Sequence, residues 1–170
     1  MINLSKETRR KRRLIREGKQ KIDHDVRTEL IFTISRVFTA DDDKDVLKLN
    51  YGFNRYMVMA WTDETEEYIT RVVRGFTNQY VMFNEELVIP LDSPRRYLYI
   101  ELARGFSSRE PSTSTNIVVK GRAKIRLPPL NSNFGEISGV VDLVGLDSDR
   151  SCVVIGALKY SMRLHRFVVL

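Results

Sequence analysis

One cysteine, two histidines and one tryptophan in 170 residues leave little material for several kinds of chemistry. Cys152 has no partner for a disulfide within the chain, which fits a reducing compartment without excluding an oxidising one. His24 and His165 with that single thiol cannot build an ordinary zinc site unless carboxylates join them. Glycine-rich phosphate loops, a Gly-x-Ser-x-Gly elbow and a His-Glu-x-x-His helix are all absent, so the expectation is a protein that is not an enzyme and carries no cofactor. No apolar run approaches the roughly 18 residues that span a bilayer, and the basic beginning is not followed by the apolar stretch of a signal peptide. Ile2 rather than glycine follows Met1, and Phe167-Val168-Val169-Leu170 offers no prenylatable cysteine. Any membrane contact is therefore expected to be peripheral, from the cytoplasmic side.

Charge is present, and unevenly placed. Residues 1–25 hold nine Lys or Arg (Lys6, Arg9, Arg10, Lys11, Arg12, Arg13, Arg16, Lys19, Lys21) against four acids. Five of the six net positive charges thus lie in this stretch, and the rest of the chain is close to neutral. Leu14, Ile15 and Ile22 are too sparse to bury a helix face, so 1–25 reads as a basic arm, mobile or ordered by a partner. Residues 26–170 read as one domain, since 42% hydrophobic composition is enough for a single core at this length.

From residue 26 onward the sequence consists of short β-rich runs separated by turn residues. Eight are expected, over 28–37, 55–62, 67–74, 82–90, 96–103, 117–127, 137–143 and 152–164. Alternation is clearest in the last and sixth runs. In the last, Leu158, Tyr160, Met162 and Leu164 oppose Lys159, Ser161, Arg163 and His165. In the sixth, Val119, Ala123, Ile125 and Leu127 oppose Lys120, Arg122, Lys124 and Arg126. With no helix-period segment of useful length, the fold class is all-β, an eight-stranded antiparallel sandwich.

The order of these runs resembles a C2 domain. Leu30-Ile31-Phe32-Thr33-Ile34, an acidic loop and Asn54-Arg55-Tyr56-Met57-Val58-Met59 are similar to that family's opening strand, first top loop and Asp-Pro-Tyr-Val strand. Asn78 followed by Phe83-Asn84-Glu85-Glu86 resembles its Asn-Pro-x-Trp-Asn-Glu segment, and Tyr97-Leu98-Tyr99-Ile100-Glu101-Leu102 its next strand. Gly121-Arg122-Ala123-Lys124-Ile125-Arg126-Leu127 resembles its Gly-x-Ala-x-Ile-x-Leu strand. Val141-Asp142-Leu143 and Gly156-Ala157-Leu158-Lys159-Tyr160-Ser161-Met162 close the comparison, and small plant single-C2 proteins look most alike. The resemblance implies a signalling or adaptor module that binds an anionic phospholipid surface or a protein partner.

Many C2 domains hold calcium between two top loops, which the resemblance raises here as a question. The first loop has Asp41, Asp42, Asp43 and Asp45, but Asn54 replaces the family's aspartate, and 104–116 offers Glu110 beside Arg104 and Arg109. Cations there would repel a metal, so binding is expected to be calcium-independent, with Asp41 and Asp43 the weak candidates for a ligand. Lys120, Arg122, Lys124 and Arg126 place four charges on one strand face about 7 Å apart, which suits a polyanion and equally an ordinary solvated strand. Arg71, Arg74, Arg95, Arg96, Lys159 and Arg163 are further cations whose relation to that row depends on the fold. Phe38, Leu47 and Phe106, near the top loops, are either apolar wedges for a headgroup layer or caps on the core, where Trp61 and Tyr56 are also expected. Cys152 reads as a small buried hydrophobe.

Arg9, Arg10, Lys11, Arg12 and Arg13 leave a second class of function open. They suit an anionic leaflet, a nuclear-import receptor, or the phosphates of a nucleic acid, as in a viral coat or movement protein whose β-sandwich carries an Arg-rich arm. Few aromatic residues are evident beside the basic row, which counts against stacking on single strands.

Overall fold

Among the described residues every regular element is a β-strand: β1 (Asp25–Thr39), β2 (Asn54–Asp63), β3 (Glu66–Ile69), β4 (Val73–Gly75), β5 (Tyr80–Pro90), β6 (Tyr97–Gly105), β7 (Ile117–Arg126), β8 (Ile137–Leu146) and β9 (Cys152–Val169). The structure is a computed structural model, and it describes residues 25–40, 54–76, 79–105, 117–131, 135–146 and 149–170. The chain divides into two compact units. Thr28–His165 holds the core, and of the other unit only residues 25–27 and 166–170 are described.

Hydrogen bonding runs in the order β3-β2-β6-β7-β8-β9-β1-β5, with β4 also on β2. The order conceals two layers. β7 and β8 share a single registered pair, Arg122 with Val144, although each has ten residues. A front sheet, β3/β4-β2-β6-β7, therefore faces a back sheet, β8-β9-β1-β5, across one core, and the antiparallel sandwich expected from the alternation is what forms. Tyr56, Val58 and Ala60 on β2 and Leu98, Ile100 and Leu102 on β6 meet Leu30, Phe32 and Ile34 on β1, Phe83 on β5 and Leu158 on β9.

The eight expected runs become nine strands because the third divides. Met59 pairs with Ile69 and Tyr56 with Val73, so three residues of one strand oppose two of β2. The extra residue is accommodated by Thr70, which is buried. Its hydroxyl accepts the Val58 N–H at 2.9 Å, standing in for a backbone carbonyl, and donates to the Arg71 carbonyl at 2.9 Å. The bulge turns Arg71 out of the ladder and toward β5.

At Arg71 the two sheets are clasped along one side. Both oxygens of the Glu85 carboxylate accept the Arg71 backbone N–H at 3.1 Å, and the Arg71 guanidinium donates to the Phe83 carbonyl at 2.9 Å. Between those two β5 residues Asn84 has φ +46°, a left-handed conformation that asparagine tolerates better than most. Here Phe83 and Asn84 stand opposite the single Ser35 of β1. Gly75 closes the same side: a Cβ there would overlap the Val81 side chain of β5.

The β2–β3 turn is fixed by Asp63. One carboxylate oxygen accepts the Thr65 N–H and hydroxyl, each at 3.1 Å, and the other accepts from Arg95 at 2.7 Å. The Thr65 N–H, then its hydroxyl, then Arg95 hold this carboxyl below its ordinary value of 3.8. A depressed folded value means the turn's contribution is full above the unfolded pKa and fades as pH falls through the folded one. An NMR titration of Asp63 should give a midpoint under 3.8, and Asp63→Asn should remove that shift together with its share of acid sensitivity. In urea unfolding, Glu85→Ala should cost about 1–2 kcal/mol by leaving the Arg71 N–H without its acceptor. Asn84→Val should cost about the same through backbone strain, and Asn84→Gly much less.

Candidate anion-binding face

On β2 the inward places go to Tyr56, Val58 and Ala60, so the same period sends Met57, Met59 and Trp61 to the outer surface of the front sheet. On β6 the inward Leu98, Ile100 and Leu102 leave Tyr97, Tyr99 and Glu101 facing out. On β7 Ala123 and Ile125, and Leu127 just past its end, lie on the core side, and Arg122, Lys124 and Arg126 are exposed. Register places these outward residues in rows: Trp61 beside Tyr99 beside Lys124, and Met59 beside Glu101 beside Arg122.

The rows bring aromatic rings and cations together. Trp61 stacks on Tyr99 with centroids 6.0 Å apart and planes at 20°, and Tyr97 tilts against Tyr99 at 6.3 Å. The Lys124 ammonium sits 4.3 Å from the Tyr97 ring centroid, a cation–π contact that holds the charge at the surface. Arg126 stands opposite Tyr97 and is exposed. Arg122 is differently placed, because its Nε donates to the Glu101 carboxylate at 2.8 Å, so its charge is partly compensated from the neighbouring strand. Past the Arg122–Val144 pair β7 and β8 separate around an open groove of about 640 Å³, lined by Tyr99, Arg122, Ala123, Lys124, Val140, Val141, Asp142 and Val144.

Arg122, Lys124 and Arg126 thus lie on one strand face, whereas Lys120 departs from it. Leu102 pairs with Gly121 and Ala103 with Val119, which makes Lys120 the extra residue of a bulge, half-buried. The same slip leaves Val119 exposed rather than on the core side where simple alternation put it. Gly145 is needed at this junction, since a Cβ would approach the Lys120 carbonyl to 2.5 Å and the Ile155 side chain to 2.9 Å. Among the other cations, Arg71 and Arg95 are engaged with Glu85 and Asp63, and Arg74 faces Arg55 at the far end of the front sheet. Lys159 and Arg163 belong to β9, in the back sheet, and do not extend the row.

Phe38 is half-buried, with its ring 5.4 Å from that of Tyr80, over which the Arg36 guanidinium also sits. Arg104 is buried at the end of β6, 1% exposed. Arg9, Arg10, Lys11, Arg12, Arg13, Asp41, Asp43, Leu47 and Phe106 lie outside the described residues. Among the described residues no three His, Cys, Asp or Glu side chains are grouped to hold a metal ion, and no helix is long and apolar enough to cross a membrane.

Two residue placements change as well. Trp61 is not a core residue: it is half-buried on the outer face, and the alternation of β2 around Tyr56, Val58 and Ala60 was the signal that could have placed it there. Cys152 is exposed, because it pairs with outward Leu146 at the start of β9, and register outweighs the general tendency of cysteine to be buried. Trp61, Tyr97 and Tyr99 also supply the aromatic residues beside the basic row that a reading of β7 alone did not find.

No family model and no curated protein matches the chain. Solved structures do resemble it. One, a C2 domain-containing protein, has a TM-score of 0.50 at 18% identity, covering 80% of this chain and 87% of that one. Another, CC2D1B, described as coordinating ESCRT-III activity during the mitotic reformation of the nuclear envelope, has a TM-score of 0.53 at 18% identity, covering 88% of this chain and 68% of that one. At that identity the likeness establishes the fold, which is the C2-type β-sandwich.

Trp61 is the chain's single tryptophan, so its emission reports on this face alone. Tyr99→Ala should expose the indole and shift its emission to the red, at a stability cost of about 1 kcal/mol for the lost ring pair. Unchanged emission would mean that the stack does not persist in solution.

Proposed function

We propose that this protein is a non-enzymatic peripheral adaptor that holds an anionic phospholipid surface, independently of calcium, through the outer face of its front sheet. The observation that carries this reading is the adjacency of Trp61, Tyr99 and Tyr97 to exposed Lys124 and Arg126, with Arg122 beside them. Exposed cations draw in lipid phosphates, each contributing about 1 kcal/mol near an anionic leaflet, while amphipathic rings are at home at the headgroup level. Three such charges give weak attachment alone. The basic arm, Arg9, Arg10, Lys11, Arg12 and Arg13 within residues 1–25, supplies the second contact that two-signal anchoring requires. Calcium independence rests on Asn54 in the place of an aspartate and on residues 104–116, where the charged residues are Arg104, Arg109 and a single acid, Glu110. A C2-type fold is compatible with membrane or protein binding, and the rings and cations of this face favour the membrane.

Co-sedimentation with phosphatidylglycerol vesicles tests the reading. Retention should fall steeply with salt, should be the same in calcium and in chelator, and should drop on deletion of residues 1–25. Lys124→Ala with Arg126→Ala should weaken it about tenfold or more. Glu101→Gln should strengthen it several-fold by freeing the Arg122 charge. Indifference to salt and to these changes would refute the membrane role. RNA retained at matched ionic strength, with the protein left in the supernatant when vesicles are pelleted, would assign the arm to nucleic acid instead.

A further inference from the structure

Over its last residues β7 has a neighbouring strand on one side only. Leu127, just past its end, donates its N–H to the Arg96 carbonyl at 2.7 Å, so its backbone groups face β6. Successive residues of an antiparallel ladder turn these groups to opposite sides, and the β6–β7 register is unbroken from Arg126 back to Gly121. Ile125 and Ala123 therefore bond toward β6, while Arg126, Lys124 and Arg122 turn their N–H and C=O away from it. Arg122 meets Val144 of β8 in that direction. Lys124 and Arg126 meet no strand among the described residues, because β8 diverges there around the open groove.

The side chains along this edge select what pairs with it. Extending the register from Arg122 and Val144 sets Lys124 across from Asp142, Ile125 across from Val141 and Arg126 across from Val140. Lys124 and Asp142 offset one another across the gap, and Arg122 is already paired with Glu101. Arg126 is exposed between Tyr97 and Val140, with no acid on either side of it. Ile125 and Val141 pack on the core, which makes the place between them apolar. A second copy laid β7 against β7 would set cation against cation, the arrangement by which edge strands repel their like.

We propose that this edge adds an extended segment of a partner protein, antiparallel to β7, in the order acidic, apolar, hydroxyl-bearing. The acid lies beside Arg126, the apolar residue between Ile125 and Val141, and the hydroxyl between Lys124 and Asp142, where it donates to the carboxylate. Main-chain bonds from the first and third residues to Arg126 and Lys124 supply the pairing, and the three side chains supply the choice of partner. The site is the strand edge, and it does not rest on the membrane reading of the face beside it.

The probe is a capped synthetic peptide with glutamate, valine and threonine in that order between flanking serines, and the readout is amide hydrogen exchange of the full chain followed by NMR. In the free chain the Lys124 and Arg126 amides should exchange about tenfold or more faster than those of Ala123 and Ile125. Millimolar peptide should slow the first two about tenfold and leave the other two unchanged. Methylating the peptide's threonine nitrogen, or scrambling its order, should abolish this protection. Arg126→Glu should weaken the peptide about tenfold, and lysine in place of the peptide's glutamate should restore it. Lys124 and Arg126 amides that are slow in the free chain, or that the peptide leaves fast, overturn the proposal. Equal protection by the scrambled or methylated peptide also overturns it, since charge then acts without pairing. Protection that grows with protein concentration alone, together with sedimentation as a dimer, overturns it in favour of a second copy. No lipid enters the experiment, so its outcome and that of vesicle binding are read separately.

Discussion

Among the described residues, two sheets cover one apolar core while sharing almost no backbone hydrogen bonds with each other. On one side they are joined by the single pair Arg122–Val144, on the other by the Arg71 N–H and guanidinium reaching Glu85 and the Phe83 carbonyl. Everything between is held by burial of side chains such as Phe32, Val58, Phe83 and Leu158. The consequences of the two sides differ. Where the sheets barely touch, the strands diverge into an open groove bordered by charged and aromatic side chains. Where they are clasped, polar groups that would otherwise lie unsatisfied at a sheet edge are paired.

Much of this was legible because strand chemistry is local. Period-two alternation identifies the inward face of β9, and of β7 from Ala123 onward, directly, and the order of turns and runs suggested the C2-type arrangement that solved structures share. The Phe83-Asn84-Glu85 segment is legible by resemblance only, and the structure supplies its physical reason: a left-handed residue lets Phe83 present its carbonyl and Glu85 its carboxylate to the same arginine.

What stayed hidden was set by bulges and by pairing at a distance. One extra residue at Lys120 reverses the facing of Val119, and one at Thr70–Val72 divides a run that reads as a single strand. Thr70–Val72 carries no glycine or proline to announce it, and Lys120 has only its neighbour Gly121 as a signal. The aromatic row required knowing that β2 and β6 are neighbours, for Trp61 and Tyr99 are 38 positions apart in sequence and directly opposite in register. Asp142 likewise looks like an ordinary polar residue in an alternating strand until β7 is placed across from it.

The clasp at Arg71 also bears on how the protein behaves in company. β5 is an eleven-residue strand at the end of the hydrogen-bonding order, with Tyr80, Met82 and Val88 exposed along it. A long, regular terminal strand of that kind is a template on which another chain can add, the first step toward fibrils. Arg71 and the Asn84 kink interrupt the template near its middle, so that no regular stretch of it exceeds six residues. The same few atoms that hold the sandwich shut therefore also shorten the regular edge that another chain could extend.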